Sequence, residues 1–411
     1  MFQRRISAAI AVAAIVAGAC GNGATTAPTS AATQGTASAA PSVAASQAAA
    51  TLGPGEGALN LVAWSGYVVG GTGGEQVQGY DWVTPFEQAT GCKVTVKVGN
   101  DSANMVQLMK TGQYDGVSAS GDATLRLIAG GDVSPVNFDL IPNYKDVFAG
   151  LKGQSYNTVN GVGYGVPHGR GANVLMWDPS VVTQAPDSWS VVFDANSPYK
   201  GKVTAYNYAI YIADAALYLM ATKPELNIKN PYSLDETQLA AAKDLLLQQK
   251  TLIGKYWGTS TDEISGFENG DMAIGTAWQY QANVINADGK KTVKFTKPKE
   301  GATGWSDTWM LYSKAAHPNC MYMWMNYIIS PKANADVTVY FGEAPVSAPA
   351  CAEAEKQQAH FCDDFHAADE TYFKDVWYWN TPTTQCLDGR TDVQCTDFDA
   401  WTKTWNEVTG G

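Results

Sequence analysis

The sequence predicts an α/β protein folded as two lobes, and three observations carry that reading. Residues 58–64 (Ala-Leu-Asn-Leu-Val-Ala-Trp) read as a largely apolar strand, and 92–98 (Cys-Lys-Val-Thr-Val-Lys-Val) alternate apolar and polar side chains, the two-residue period of a strand. Helical spacing over residues 82–90 and 102–110 falls between and after them, with a short strand at 114–118 following. Strand–helix–strand–helix–strand is the order of a parallel sheet covered by helices. The third observation is length: the part of the 411-residue chain beyond residue 57 is too long for one ordinary core, so two lobes are expected.

Each further element has its own signal. The helix over 82–90 is stopped by Gly91. Residues 234–250 form a helix with apolar positions at Leu239, Leu245 and Leu246, begun by Ser233 or Asp235. Residues 271–278 read as a buried strand, and 319–330 as an apolar helix ended by Pro331. The turns 163–167 and 301–304 are rich in glycine and suit places where the chain crosses between lobes. The expected division is lobe one over 58–166 plus about 305–345, lobe two over 167–304, and a cysteine-bearing segment over 346–411 packed on the lobes.

The N-terminus reads as an export signal. Met1-Phe2-Gln3-Arg4-Arg5 is a basic head, an apolar run follows to Val16, and Ala17-Gly18-Ala19 precede Cys20. Small residues directly before a cysteine resemble the lipobox of bacterial lipoproteins, in which Cys20 becomes the lipidated N-terminus after residues 1–19 are removed. Residues 20–57 hold almost only Ala, Thr, Ser, Gly, Pro and Gln. They have too little apolar surface to offset ordering entropy and are expected to be a flexible tether. The folded part would then sit outside the cytoplasm, periplasmic or at the cell surface, touching the membrane through the lipid alone.

Composition narrows the partners. A net charge of −12 argues against nucleic acid and anionic membrane surfaces and suits a cationic ligand. No later run of apolar residues is long enough to cross a bilayer. Without Cys20, six of the seven cysteines remain, an even number that suggests disulfides in an oxidising compartment. Cys386 and Cys395 flank a glycine-containing loop and are the easiest pair to close; Cys351 with Cys362 is next, leaving Cys92 and Cys320, although six cysteines permit other pairings. A metal site from His360, Cys362 and His366 fits no standard zinc spacing, so no metal is expected.

Enzyme motifs are missing. Gly116-Val117-Ser118-Ala119-Ser120 is off register for a nucleophile elbow, and no phosphate loop, dinucleotide fingerprint or zinc-protease motif occurs, so neither catalysis nor a cofactor is expected. His168 is the one histidine in a loop suited to face a cleft, and a hinge or surface role suits it better than a base. Tryptophan stands out instead. Trp64, Trp278 and Trp305 each follow or end a predicted strand or glycine-rich turn. In open α/β sheets ligands bind beyond the carboxyl ends of strands. Aromatic faces there attract a cation by about 0.5–2 kcal/mol each. Singly, each tryptophan is as well explained by core packing; three at equivalent positions favour a site.

The chain resembles the extracellular solute-binding proteins of ABC importers, in their spermidine/putrescine-binding branch. The likeness spans about residues 58–345. It rests on Leu59 to Tyr67, Phe86 to Val94, Tyr114-Asp115 with Ser120, Gly165-Val166-Pro167, Gly270-Asp271 with Trp278, and Pro298 to Gly301 with Trp305 and Asp307. The resemblance implies a two-lobed periplasmic-binding-protein-like fold of type II, closing on a ligand between lobes. It implies that Trp64, Ser65 and Tyr67 line the pocket, that Asp122 faces the ligand, and that Trp278, Trp305 and Asp307 box and ion-pair an ammonium. Ser120, Asn207 and Gln281 complete the candidate lining. Asn207 and Ile210 stand where the family often has acidic residues, and Gly66 stands where it sometimes has another; Glu343 and Asp122 are the candidate replacements.

The expected function is delivery of a small cation, a polyamine such as putrescine or spermidine, by a monomeric receptor to an ABC permease. An amino-acid-like solute, a sugar or a metal chelate is the competing ligand class, with Arg126 or Arg170 available to an anion. An exported enzyme is the reading from a different class.

Overall fold

The computed structural model describes residues 51–410. The signal peptide, Cys20 and most of the expected tether lie outside those residues. Composition predicts a tether running to residue 57, yet the chain is already tied down at Gly53, whose N–H donates to Asn319 Oδ1 (2.7 Å). Glu56 accepts from the N–H groups of Asn319 and Cys320 (2.9 Å each), which open the helix Pro318–Ile328. A carboxylate at those unpaired donors is held by hydrogen bonds and the helix dipole, so residues 53–56 belong to the fold and not to the tether that composition suggests.

Strands β1 (Ala58–Ala63), β2 (Lys93–Val98) and β3 (Gly116–Ala119) alternate with the helices Val83–Thr90 and Ser102–Lys110 and pair in parallel. The hairpin β4 (Thr158–Val159) and β5 (Val162–Gly163) precedes β6 (Val166–Pro167). Then come β7 (Gly171–Trp177), β8 (Val203–Tyr206), β9 (Ile253–Trp257), β10 (Ile274–Trp278), β11 (Lys294–Thr296), β12 (Ala302–Trp305), β13 (Thr308–Leu311) and β14 (Val376–Tyr378). One sheet has the order β2-β1-β3-β13-β6; the other runs β14-β12-β7-β10-β8-β9, with β11 also on β7. The chain passes from the first sheet to the second through residues 168–170 and returns through 306–307. Both passages lie just past the glycine-rich turns, whose residues instead form β5, β6 and β12.

The alternation in β1 covers both faces of the first sheet. Leu59, Leu61 and Ala63 pack with Phe86, Met321 and Trp324 on one side. Val62 joins Met105, Val117 and Leu127 on the other. In the second lobe the helix Ile212–Thr222 is apolar except chiefly for Asp214, which accepts from Thr303 Oγ1, and is buried along most of its length, as a helix enclosed by other layers must be.

The helix expected over 234–250 is Glu236–Lys250, and Asp235, not Ser233, caps it: its carboxylate accepts from Gln238 N while Gln238 reaches back. Pro331 does more than end the preceding helix. It is the first residue of the next one, Pro331–Phe341, where its missing N–H is harmless. Disulfides join Cys92 to Cys320, Cys351 to Cys362, and Cys386 to Cys395. Cys362 is therefore bonded to sulfur, and His366 stacks on Tyr372 (3.8 Å). Among the described residues no helix is long and apolar enough to cross a membrane.

Residues 346–411 do not form a separate layer. β14 extends the second sheet beside β12, and the helix Phe398–Thr409 packs on Glu236–Lys250. The segment also reaches the first lobe, where the carbonyl of Trp379 lies so close to Gly121 that a Cβ there would overlap it.

Candidate functional site

The carboxyl ends of β1, β3, β8, β10 and β12 converge on one cavity of about 460 Å³ between the two sheets. Trp64 follows β1, Ser120 follows β3, and Tyr206, Trp278 and Trp305 end β8, β10 and β12. All five line the cavity, with Ser65, Tyr67, Asp122 and Asp307.

Asp307 lies on the return passage between sheets. Tyr67 Oη donates to its Oδ2 (2.8 Å) and Ser120 Oγ to its Oδ1 (2.6 Å). Burial raises its carboxyl to about 6, and those two hydrogen bonds oppose the rise. Asp122 sits in the first turn of the helix Gly121–Ala129. Ser102 Oγ donates to its Oδ1 (2.8 Å), while Oδ2 has no protein partner. Burial raises this carboxyl too, to about 6, against Ser102 and the Arg126 guanidinium.

The second lobe contributes aromatic surface. Tyr206 lies edge-on to Trp278 (5.8 Å, 62°) and parallel to Trp379 (5.8 Å, 4°). Phe341 stands edge-on to Trp305 (5.8 Å, 82°) and stacks on Tyr280 (5.8 Å, 14°). The lobes already touch beside the cavity: Ala103 N donates to Tyr208 Oη (3.1 Å), and Arg126 lies over the Phe398 ring (4.6 Å). Arg170, the other candidate for an anion, is engaged by Ala367 O (2.7 Å) and Glu370 (3.1 Å).

Three candidate residues stand off the cavity lining. Asn207 accepts from Trp405 Nε1 (3.3 Å), because alternation beyond the end of β8 turns it away from the face that Tyr206 and Tyr208 present. Gln281 accepts from Trp278 N (2.7 Å) and so caps its own helix, Gln279–Asp288. Glu343, placed just after the left-handed Gly342 that ends Pro331–Phe341, turns to His168, with Oε1 3.3 Å from Nε2. Burial, and then Asp307, push the Glu343 carboxyl well up.

His168 itself is buried in the first passage. It stacks on Tyr67 (4.0 Å) and its Nδ1 accepts from Trp309 Nε1 (2.8 Å). An indole N–H only donates, so the imidazole is neutral with its proton on Nε2. Burial holds it there by lowering its pKa to about 3.

Sequence reasoning missed Ser102, Tyr206, Tyr208, Tyr280, Phe341 and Trp379, all of which line the cavity. The tyrosines flanking Asn207 were recoverable: once β8 is a strand, its period puts 206 and 208 together. Trp379 carries no local signal. It arrives through the long-range pairing of β14 with β12. Two buried carboxyls facing indole and phenol rings suit a desolvated cation with an apolar body.

This architecture is that of the two-lobed α/β substrate-binding proteins of ABC transporters. A putative spermidine/putrescine ABC transporter structure from Listeria monocytogenes superposes with a TM-score of 0.69 at 16% identity, covering 86% of this chain and 99% of that one. The chain belongs to the bacterial extracellular solute-binding proteins, whose family pattern matches residues 81–361. It is similar to the putrescine/agmatine-binding protein of Pseudomonas aeruginosa, 26% identical over 286 residues, or 64% of this chain and 75% of that one. It is also similar to the putrescine-binding periplasmic protein PotF of Escherichia coli, 24% identical over 316 residues, covering 73% and 81%.

Proposed function

We propose that this protein is an extracytoplasmic receptor for a small aliphatic amine of the putrescine class, which it hands to an ABC permease. The observation that carries the reading is Asp307: a buried carboxyl, positioned by Tyr67 and Ser120, on the wall of an aromatic cavity. An ammonium entering that cavity loses its water and must regain charge and hydrogen bonds. Asp307 supplies them at one end. Asp122, with an unpartnered oxygen, supplies them at another. Trp64, Trp278 and Trp305 take the alkyl part. Glu343 stands off the lining, so Asp122 is the better replacement for the family's missing acids. The putrescine-binding names of the two relatives support the ligand class.

In this reading the lobes, residues 58–166 with about 305–345 and residues 167–304, close as bodies about the passages at 168–170 and 306–307. The protein binds and releases its solute unchanged, acts as a monomer, and is held to the membrane by lipid on Cys20. Calorimetry with putrescine, spermidine, γ-aminobutyrate and glucose tests the ligand class. Heat from the two polyamines alone is the expected result. Binding only to γ-aminobutyrate or glucose would overturn the amine assignment while leaving a receptor.

A further inference from the structure

The cavity is not complete with the two sheets alone. Trp379 follows β14, and its N–H donates to Gly304 O (2.7 Å) on the second sheet. The next two residues bond to the first lobe: Asn380 Nδ2 donates to Ser155 Oγ (3.0 Å), and Thr381 Oγ1 to Gly121 O (3.1 Å). Between these anchors the Trp379 indole lies on the cavity wall, 6% exposed, with its ring parallel to Tyr206. Its main chain abuts Gly121, the residue between Ser120 and Asp122. One buried side chain from the C-terminal segment thus stands where the aromatic wall of one lobe meets the carboxylate of the other.

We infer that Trp379 is a ligand-contacting, specificity-determining residue, and that residues 376–381 form a strap limiting the length of amine the cleft accepts. An alkylammonium held by Asp122 has the Tyr206–Trp379 pair beside it, and an indole face stabilises both its charge and its methylenes. Because the strap is bonded to both lobes, it bounds the cavity on that side when the lobes are together. A ligand longer than the space between the strap and Asp307 has no way past Trp379 without breaking the bonds of Asn380 and Thr381.

This inference rests on the amine reading, and the test separates the two. Calorimetry on the wild-type chain, Trp379→Leu and Trp379→Phe uses putrescine, shorter and longer straight-chain diamines, spermidine and γ-aminobutyrate. Leucine keeps an apolar plug without a π-face; phenylalanine keeps the face. Expected is a loss of about tenfold or more in putrescine affinity for Trp379→Leu, near-wild-type binding for Trp379→Phe, and a preference shifted toward longer diamines in the leucine variant. Unchanged affinity and ranking in Trp379→Leu would overturn the role of Trp379 and leave the amine reading standing. If the wild type binds only γ-aminobutyrate, the amine reading falls, and Trp379→Leu must still weaken that ligand or the strap falls with it. A wild type silent to every probe overturns both. Melting of each ligand-free variant within a few degrees of wild type shows that a binding loss is not an unfolding.

Discussion

At the residue scale the proposed binding chemistry divides between Asp307 and Asp122. Asp307→Asn keeps the shape and both neighbours of the carboxylate but removes its charge. Putrescine binding should weaken by about 2–5 kcal/mol, read by calorimetry. Wild-type affinity in that variant would place the ammonium elsewhere. Glu343→Gln should change affinity little, since that side chain faces His168 rather than the cavity. The carboxyls at 122 and 307 also set a pH dependence. Both stand near 6 in the free protein, above the 3.8 of an unburied aspartate. The folded chain therefore holds these protons more tightly than the unfolded one. Their contribution to ligand-free stability is present at low pH and is lost as pH rises through about 6. A bound ammonium favours the ionised forms, so affinity runs the other way. It should fall as pH drops below about 6, by about tenfold per pH unit for each proton taken up, and flat affinity down to pH 5 would refute this assignment.

At the scale of elements, period and punctuation carried much of the reading. The strict alternation of residues 92–98 became β2, and the Gly91 stop is a left-handed cap. Asp307 and Trp305 were legible because they follow a glycine-rich turn in a family-like order. What was not legible depends on partners distant in sequence. Gln281 and Trp278 lie on one short stretch, but only the helix start tells that the glutamine folds back as a cap. Glu343 looked free to reach a ligand until the crossing at 168–170 put His168 beside it. Trp379 needed β14 to pair across 74 residues with β12 (Gly304 with Tyr378). The disulfides also differ by reach. Cys92–Cys320 closes a loop of 228 residues and Cys386–Cys395 one of 9. In the chain-entropy account the first stabilises by about 5 kcal/mol and the second by about 2.6 kcal/mol. Cys92→Ser with Cys320→Ser should lower the denaturation midpoint more than Cys386→Ser with Cys395→Ser; the reverse order would mean that native packing, not loop closure, sets their worth.

At the scale of the whole molecule, the N-terminal boundary of the fold and the proposed membrane attachment are tested separately. A chain beginning at Gly53 should melt like the full-length protein. One beginning at Gly57 loses Glu56 from the start of the helix Pro318–Ile328 and should be less stable by about 1–3 kcal/mol. Equal melting of the two would show that Glu56 contributes nothing. Cys20→Ala should leave amine binding intact and move the protein out of the membrane fraction; unchanged fractionation would remove the lipid anchor from the proposal.

The close approach of the Trp379 carbonyl to Gly121 reaches beyond this chain. A methyl group at 121 and this C-terminal segment are sterically exclusive, although 258 positions separate residues 121 and 379. Grafting residues 346–411 onto a related receptor would therefore fail wherever that receptor carries a side chain at the matching helix start. The residue at 121 and the path of the chain at 379 are thus one choice and not two.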